Sequence, residues 1–310
     1  MALLHPNFST QATAVSASAV SSSAHQPIPN LTAGALRSIL YHLHYLPFTV
    51  DKTPHKVSYH WRFPVPPVLS HLVAQYAWTD PFNPWVLGAL YQFERVHGLP
   101  IDHGKDGILG LPHTILKALR HAKTTDPHAW TWVLVTKQPE PETIRIFVAH
   151  RGWVFRSVCN TGVLHSTPDG TWPIYARALH TTMVGEFPIP VTQRFYRLYR
   201  AAVSAGFHVP IIHFGDVNGY LVRYQPYDDP DIRWVNYFYQ GRAVHYFPRA
   251  SYGFPQSAGC VELPKPSARK AFTILHYGVP VTILTRVKAS FLALPKPHQQ
   301  TDHSTFLDTH

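Results

Sequence analysis

Past residue 130 the hydrophobic period of the chain changes, and that change limits the folds open to it. Trp130, Trp132 and Leu134 alternate with Thr131, Val133 and Val135, and Ile144, Ile146 and Val148 alternate with Arg145 and Phe147. A period of two is what a pleated strand imposes on side chains that leave its opposite faces. Arg151-Gly152 suits a hairpin turn into a strand over 153–160, and 279–284 reads as a late buried strand. With one helix near 267–276, residues 130–287 are predicted to form a mostly-β sandwich. Ahead of residue 122 the period is helical. Leu36, Ile39, Leu40, Leu43 and Leu46 recur at helical spacing. Asn83 suits an N-cap and Pro84 the first helical position, followed by Trp85, Leu87, Leu90, Phe93 and Val96 as a buried side and Gly98 as the stop. Asp106-Gly107 marks a turn, and Leu111-Pro112 opens a last helix that contains Ile115, Leu116 and Leu119. Residues 47–67, rich in proline and aromatics, read as a wrapping loop. The predicted organisation is a flexible leader (1–30), a small helical domain (31–122), a linker (123–129), the β domain (130–287) and a flexible tail (288–310).

A chain of 310 residues has room for about two domains at the usual ~100–200 residues each. Hydrophobic residues make up 45% and charged residues 14%, a globular balance. No apolar run reaches the ~18 residues of a membrane span, so no integral membrane segment is expected. The net charge of +10 favours an anionic partner. The basic residues are scattered and form no nucleic-acid motif, so nucleic acid is not the expected partner. Histidines number 22, yet pairs such as His42 and His44 lack the cysteine or carboxylate spacing that completes a metal site, and no metal is expected. Two cysteines, Cys159 and Cys260, exclude a disulfide scaffold and are expected to be free thiols.

Cys260 lies in Ser257-Ala258-Gly259-Cys260, fifteen residues after His245. A thiol is a nucleophile once an imidazole takes its proton, and His245 is the candidate base. Gly259 lets the backbone approach a substrate carbonyl, which makes the Gly259 and Cys260 amides candidate oxyanion donors, with Ser257 shaping the turn.

The string Ala243-Val244-His245-Tyr246-Phe247-Pro248-Arg249-Ala250-Ser251-Tyr252-Gly253-Phe254-Pro255-Gln256-Ser257-Ala258-Gly259-Cys260-Val261-Glu262-Leu263-Pro264 resembles the signature of the L,D-transpeptidase (YkuD-like) catalytic domain. So do Asn160-Thr161-Gly162-Val163, Ser166-Thr167-Pro168-Asp169-Gly170-Thr171-Trp172, Thr181-Thr182-Met183-Val184-Gly185 and Trp234-Val235-Asn236-Tyr237-Phe238, in order over about 130–285. Ahead of them, 89–99 and 106–114 are similar to a three-helix peptidoglycan-binding domain, with Phe93-Glu94 where Phe-Gln is commoner. Three positions depart from the catalytic signature: Ala258 stands where an inner histidine is common, Glu262 where arginine is, and Tyr246 where glycine is. The resemblance implies attack by Cys260 on the tetrapeptide stem of peptidoglycan, release of D-alanine, and transfer of the acyl group to an amine to give a 3→3 cross-link. It implies no cofactor, acylation of Cys260 by carbapenems, a stem-and-glycan substrate held near Met183, Tyr246, Arg249, Tyr252, Ala258 and Glu262, and a location outside the cytoplasmic membrane. Relatives pass quickly from the Thr-Met block to Tyr227-Asp228-Asp229-Pro230, so about 186–220 reads as an insertion. Its basic-aromatic run Arg194–Arg200 is either surface decoration or a lid. With water as acceptor the protein is an L,D-carboxypeptidase, and with an inert thiol it is a wall-binding protein.

Overall fold

A computed structural model describes residues 31–53, 56–76, 78, 80, 82–101 and 111–295. The expected leader (1–30), the Asp106-Gly107 turn and the last fifteen residues of the expected tail lie outside the described residues.

The N-terminal part begins with α1 (Ala33–His42), whose first turn is capped by Thr32 Oγ1 accepting from the Ala35 N–H at 3.1 Å. The stretch 47–67 is not the loop that its prolines suggested. It contains an antiparallel hairpin, β1 (Phe48–Thr53) and β2 (Lys56–Trp61), with Phe48 opposite Trp61. The aromatics are its packing: Phe48, Trp61 and Trp78 meet at ring separations of 4.5 and 5.2 Å. Next come α2 (Pro67–Ala74) and α3 (Pro84–Val96), the latter capped by Asn83 Oδ1 accepting from the Trp85 and Val86 amides. Gly98 follows α3 at φ 67°, the left-handed stop expected of it. A last helix, α4 (His113–His121), buries Ile115, Leu116 and Leu119. Four helices and a hairpin among the described residues therefore replace the three helices expected.

The C-terminal part is a β-sandwich. One sheet, ordered β5-β4-β3-β12-β6, contains β3 (Thr131–Gln138), β4 (Thr143–Val148), β5 (Gly152–Val158), β6 (Gly170–Pro173) and, from the end of the chain, β12 (Pro280–Arg286). The other sheet takes in order β7 (Ala176–Pro190), the helix α5 (Gln193–Ser204) as an excursion, β8 (Phe214–Val217), β9 (Tyr220–Tyr239), β10 (Arg242–Tyr246) and β11 (Val261–Leu263). The helix α6 (Lys265–Ile274) then leads back to β12. Val133, Val135, Ile144 and Ile146 from the first sheet share a core with Phe238, Val244, Val261 and Leu263 from the second.

The first sheet is covered on its other face as well. Trp132, Leu134, Phe147 and Ala149 belong to the core formed by α1 to α4. The alternation read from the sequence is therefore real, but neither face of β3 meets water, and every residue of it except Gln138 is buried. At this junction α3 passes so close that a Cβ on Gly88 would overlap the Gly278 carbonyl oxygen, and Gly278 itself sits at φ 78°. The expected linker is packed too: the Asp126 N–H donates to the Leu43 carbonyl at 2.9 Å, and Asp126 Oδ1 accepts from Gln92 at 3.2 Å. The start of the expected flexible tail is likewise laid down, with Trp153 Nε1 donating to the Leu292 carbonyl at 2.8 Å. Among the described residues no helix is long and apolar enough to cross a membrane.

Candidate active site

β10 and β11 run parallel, with Val244 beside Val261 and His245 beside Glu262. Cys260 directly precedes β11, two residues before Glu262, so the strand period sends it to the side of the sheet that His245 faces. The loop 247–259 closes the gap between the strands. Opposite His245, β9 spends two residues where β10 spends one: Asn236 pairs with Val244 and Arg233 with Tyr246, leaving Trp234 and Val235 against His245. Trp234 adopts φ 56°, a bulge geometry that costs a bulky residue strain and that re-aims the neighbouring side chain.

His245 is buried, and its Nδ1 hydrogen-bonds the Tyr246 carbonyl at 3.0 Å. That carbonyl fixes Nδ1 as the protonated nitrogen and leaves Nε2 for the thiol. It is the group that orients the imidazole. Burial acts to lower the His245 pKa, but the negative charge and hydrogen bond of Cys260, the Tyr246 carbonyl and the charge of Glu262 together raise it above the ordinary value. Both cysteines are free, Cys260 half-buried and Cys159 fully so. Burial pushes the Cys159 thiol far up, which makes it a core side chain and not a second nucleophile.

The turn before Cys260 is held from outside by the 160–167 segment. The Gln256 and Ser257 amides donate to the Thr161 carbonyl, and the Val163 amide donates to the Ser257 carbonyl. Thr167 Oγ1 donates to the Gly259 carbonyl at 2.8 Å. Gly162 approaches so closely that a Cβ there would lie 2.7 Å from the Gly259 Cα. Behind this segment lies a residue that sequence reasoning missed. Glu142 is fully buried and accepts from the Thr161 N–H and Oγ1 at 2.5 and 2.7 Å. Burial raises its pKa, against the hydrogen bonds of Thr161. It stands in a Pro-Glu-Pro-Glu run, whose composition gave no signal beyond a turn.

One expectation about this turn is corrected. The Gly259 N–H is not an oxyanion donor, because it donates to Ser257 Oγ at 3.0 Å, while Ser257 Oγ donates to the Cys260 carbonyl at 2.7 Å. Gly259 serves instead through conformation: at φ 138°, a Cβ would meet Arg242 Nε at 2.9 Å. Among the described residues no side chain accepts from the Cys260 N–H.

Cys260, His245 and Ser257 open onto a cleft of about 380 Å³ whose lining includes Met183, Ala258, Arg249 and Glu262. Tyr246 and Tyr252 are not in it. Tyr246 packs against Trp234 at a ring separation of 6.0 Å, and the Tyr252 hydroxyl donates to the Phe247 carbonyl at 2.5 Å. Both support the loop. Arg249 and Glu262 form an internal pair, with Arg249 Nε and an NH2 group donating to the two Glu262 oxygens at 2.8 and 2.7 Å. Asn160 Nδ2 also donates to Glu262, at 3.3 Å. The arginine that this chain lacks after Cys-Val is thus replaced by one from the loop, and its charge is spent on Glu262, which stands in the arginine's place. The far wall, not foreseen, comes from β7 and β9: Phe187, Ile189, Tyr227 and Asp229. Tyr227 is pushed to about 12, by burial first and then by negative charge at Cys260, Asp229 and Glu262. The insertion therefore reaches the cleft through the end of β7. Its helix α5, with Arg194 and Arg200, contributes nothing to the lining.

Residues 132–283 match the family model of the L,D-transpeptidase catalytic domain, YkuD. About half of the chain, 132–283, thus belongs to that family. No curated protein sequence matches the chain. Among solved structures it is similar to a mutant L,D-transpeptidase of Enterococcus faecium, at 14% identity over 52% of this chain and 52% of that one, with a TM-score of 0.34. An L,D-transpeptidase of Mycobacterium smegmatis matches at 18% over 50% and 59%, with a TM-score of 0.32. One of Xylanimonas cellulosilytica matches at 14% over 76% and 100%, with a TM-score of 0.30. The chain spans about half the length of the first of these. One matched L,D-transpeptidase is in complex with imipenem.

Proposed function

We propose that the chain is a peptidoglycan L,D-transpeptidase with Cys260 as nucleophile. The observation that carries this reading is the buried His245, held by the Tyr246 carbonyl and turned toward a half-exposed Cys260 at the wall of a cleft. His245 takes the thiol proton, and the thiolate attacks the carbonyl of the third stem residue. The C–N bond to the terminal D-alanine breaks, and D-alanine leaves with the proton that His245 returns to its nitrogen. The Cys260 N–H faces the oxyanion, a contribution of ~3–4 kcal/mol where one such donor is well placed. An amine from a second stem then displaces the thiol and gives the cross-link. The same thiol is the expected target of carbapenems, and action on finished stems places the protein outside the cytoplasmic membrane.

The test is mass spectrometry of the protein incubated with disaccharide-tetrapeptide, with Cys260→Ala in parallel. A cross-linked dimer that requires Cys260 is the expected product. Tripeptide alone makes the protein an L,D-carboxypeptidase, and no product with either protein leaves a wall-binding module. Retention of Cys260→Ala protein on peptidoglycan sacculi measures the wall-binding role proposed for residues 31–122.

A further inference from the structure

The charges around the cleft do not balance. Besides His245, the cation in the lining is Arg249, and its Nε and Nη2 donate to Glu262, with Nη2 also donating to the Gln256 carbonyl at 3.1 Å. Glu262 is buried beneath it, so that pair is internally neutral. Asp229 is the remaining carboxylate. It sits on β9 opposite Met183 of β7, half-buried, and its carboxylate makes no hydrogen bond or ion pair among the described residues. Burial raises its pKa; Arg249 opposes that shift and Glu262 adds to it. A half-desolvated carboxylate without a partner gains most from a cation that arrives with its own hydrogen-bond donors. The chain as a whole carries +10, so this anionic wall runs against the surrounding charge.

We propose that Asp229 is the recognition site for an alkyl ammonium group of the substrate. The inference rests on the transpeptidase reading for the identity of that substrate. The ammonium has two possible sources, the acceptor amine or the side chain of the donor's third residue. In the acceptor case the amine nitrogen bonds to the thioester carbon as the C–S bond breaks. Of the three ammonium protons, one remains in the new amide, one passes through His245 to the departing thiolate, and one goes to water.

Two arms separate the sources. In the first, Cys260→Ala full chain is titrated calorimetrically with a tetrapeptide carrying lysine third, and with its Nε-acetyl form. In the second, Cys260 protein receives the Nε-acetyl donor together with Nα-acetyl-lysinamide or with hydroxylamine, which is uncharged near pH 7. A donor site gives the lysine peptide about fivefold tighter binding, a modest ion-pair effect. An acceptor site gives a similar rise in the KM of the lysinamide, and not of hydroxylamine, on Asp229→Asn. The proposal holds if Asp229→Asn abolishes the ammonium preference in either arm, with an unchanged melting temperature. It is overturned if the variant changes neither. Absence of turnover sinks the transpeptidase reading alone, because the binding arm does not depend on chemistry.

Discussion

Arg249 and Glu262 show how a motif departure is resolved one residue at a time. Replacing Arg249 with methionine leaves a buried carboxylate with only the Asn160 amide beside it. The expected cost is ~3–5 kcal/mol in denaturant unfolding, and Arg249→Met with Glu262→Leu together should recover most of it. If the single variant unfolds like the wild type, the pair is not structural. His245 permits a second measurement. Its raised pKa keeps an imidazolium next to Cys260 to higher pH than an ordinary histidine would. Alkylation of Cys260 by iodoacetamide at pH 7 should slow by about 10²-fold in His245→Ala. Equal rates would mean that the thiol is not activated by this partner.

Among elements, the loop between α6 and β12 carries a titrating group at the junction with α3. His276 is half-buried there, with Nδ1 on the Tyr277 carbonyl at 2.9 Å and the His128 ring 4.6 Å away. Burial is the main cause that lowers its pKa to about 4; the His128 charge adds to it, while the Tyr277 carbonyl and Asp126 oppose it. A histidine with a depressed folded-state pKa stabilises the fold fully above its ordinary value of 6.5, and that contribution is lost as pH falls toward 4. Stability should therefore decline over that window, by up to about 1.4 kcal/mol per pH unit, and His276→Gln should flatten the decline. A melting curve that falls equally in both proteins would assign the acid sensitivity elsewhere. At this scale the sequence was most legible where local chemistry sets the element, as in the Asn83-Pro84 start of α3 and the alternating β3 and β4. It misled at 47–67, because Pro47, Pro64, Pro66 and Pro67 flank the hairpin, and the aromatics inside it are explained by partners such as Trp78.

Across the whole molecule, the helical part shares one core with the outer face of the first sheet, beside the separate core inside the sandwich. Trp132, Leu134 and Phe147 are fully buried only because α1 to α4 cover the outer face of the first sheet. A fragment starting at residue 123 should expose these three side chains, bind a hydrophobic dye such as ANS, and melt below the full chain. A fragment as stable and as dye-free as the full chain would show that the two parts fold independently, as the expected linker at 123–129 implied. The insertion acts at this scale too. Its strand end lines the cleft through Phe187 and Ile189, while α5 stands away from it without a buried residue.

The sequence by itself determined the two hydrophobic periods, the helix cap at Asn83, and the pairing of Cys260 with His245, because each depends on residue types at short spacing or on one ordered signature. Tertiary structure alone decided that Gly259 gives its amide to Ser257, that Arg249 is spent on Glu262, and that Glu142 braces the 160–167 segment. It also decided that Asp229 faces the nucleophile from another strand. Those outcomes depend on which backbone and side-chain donors meet across sheets distant in sequence, and no local pattern carries that information.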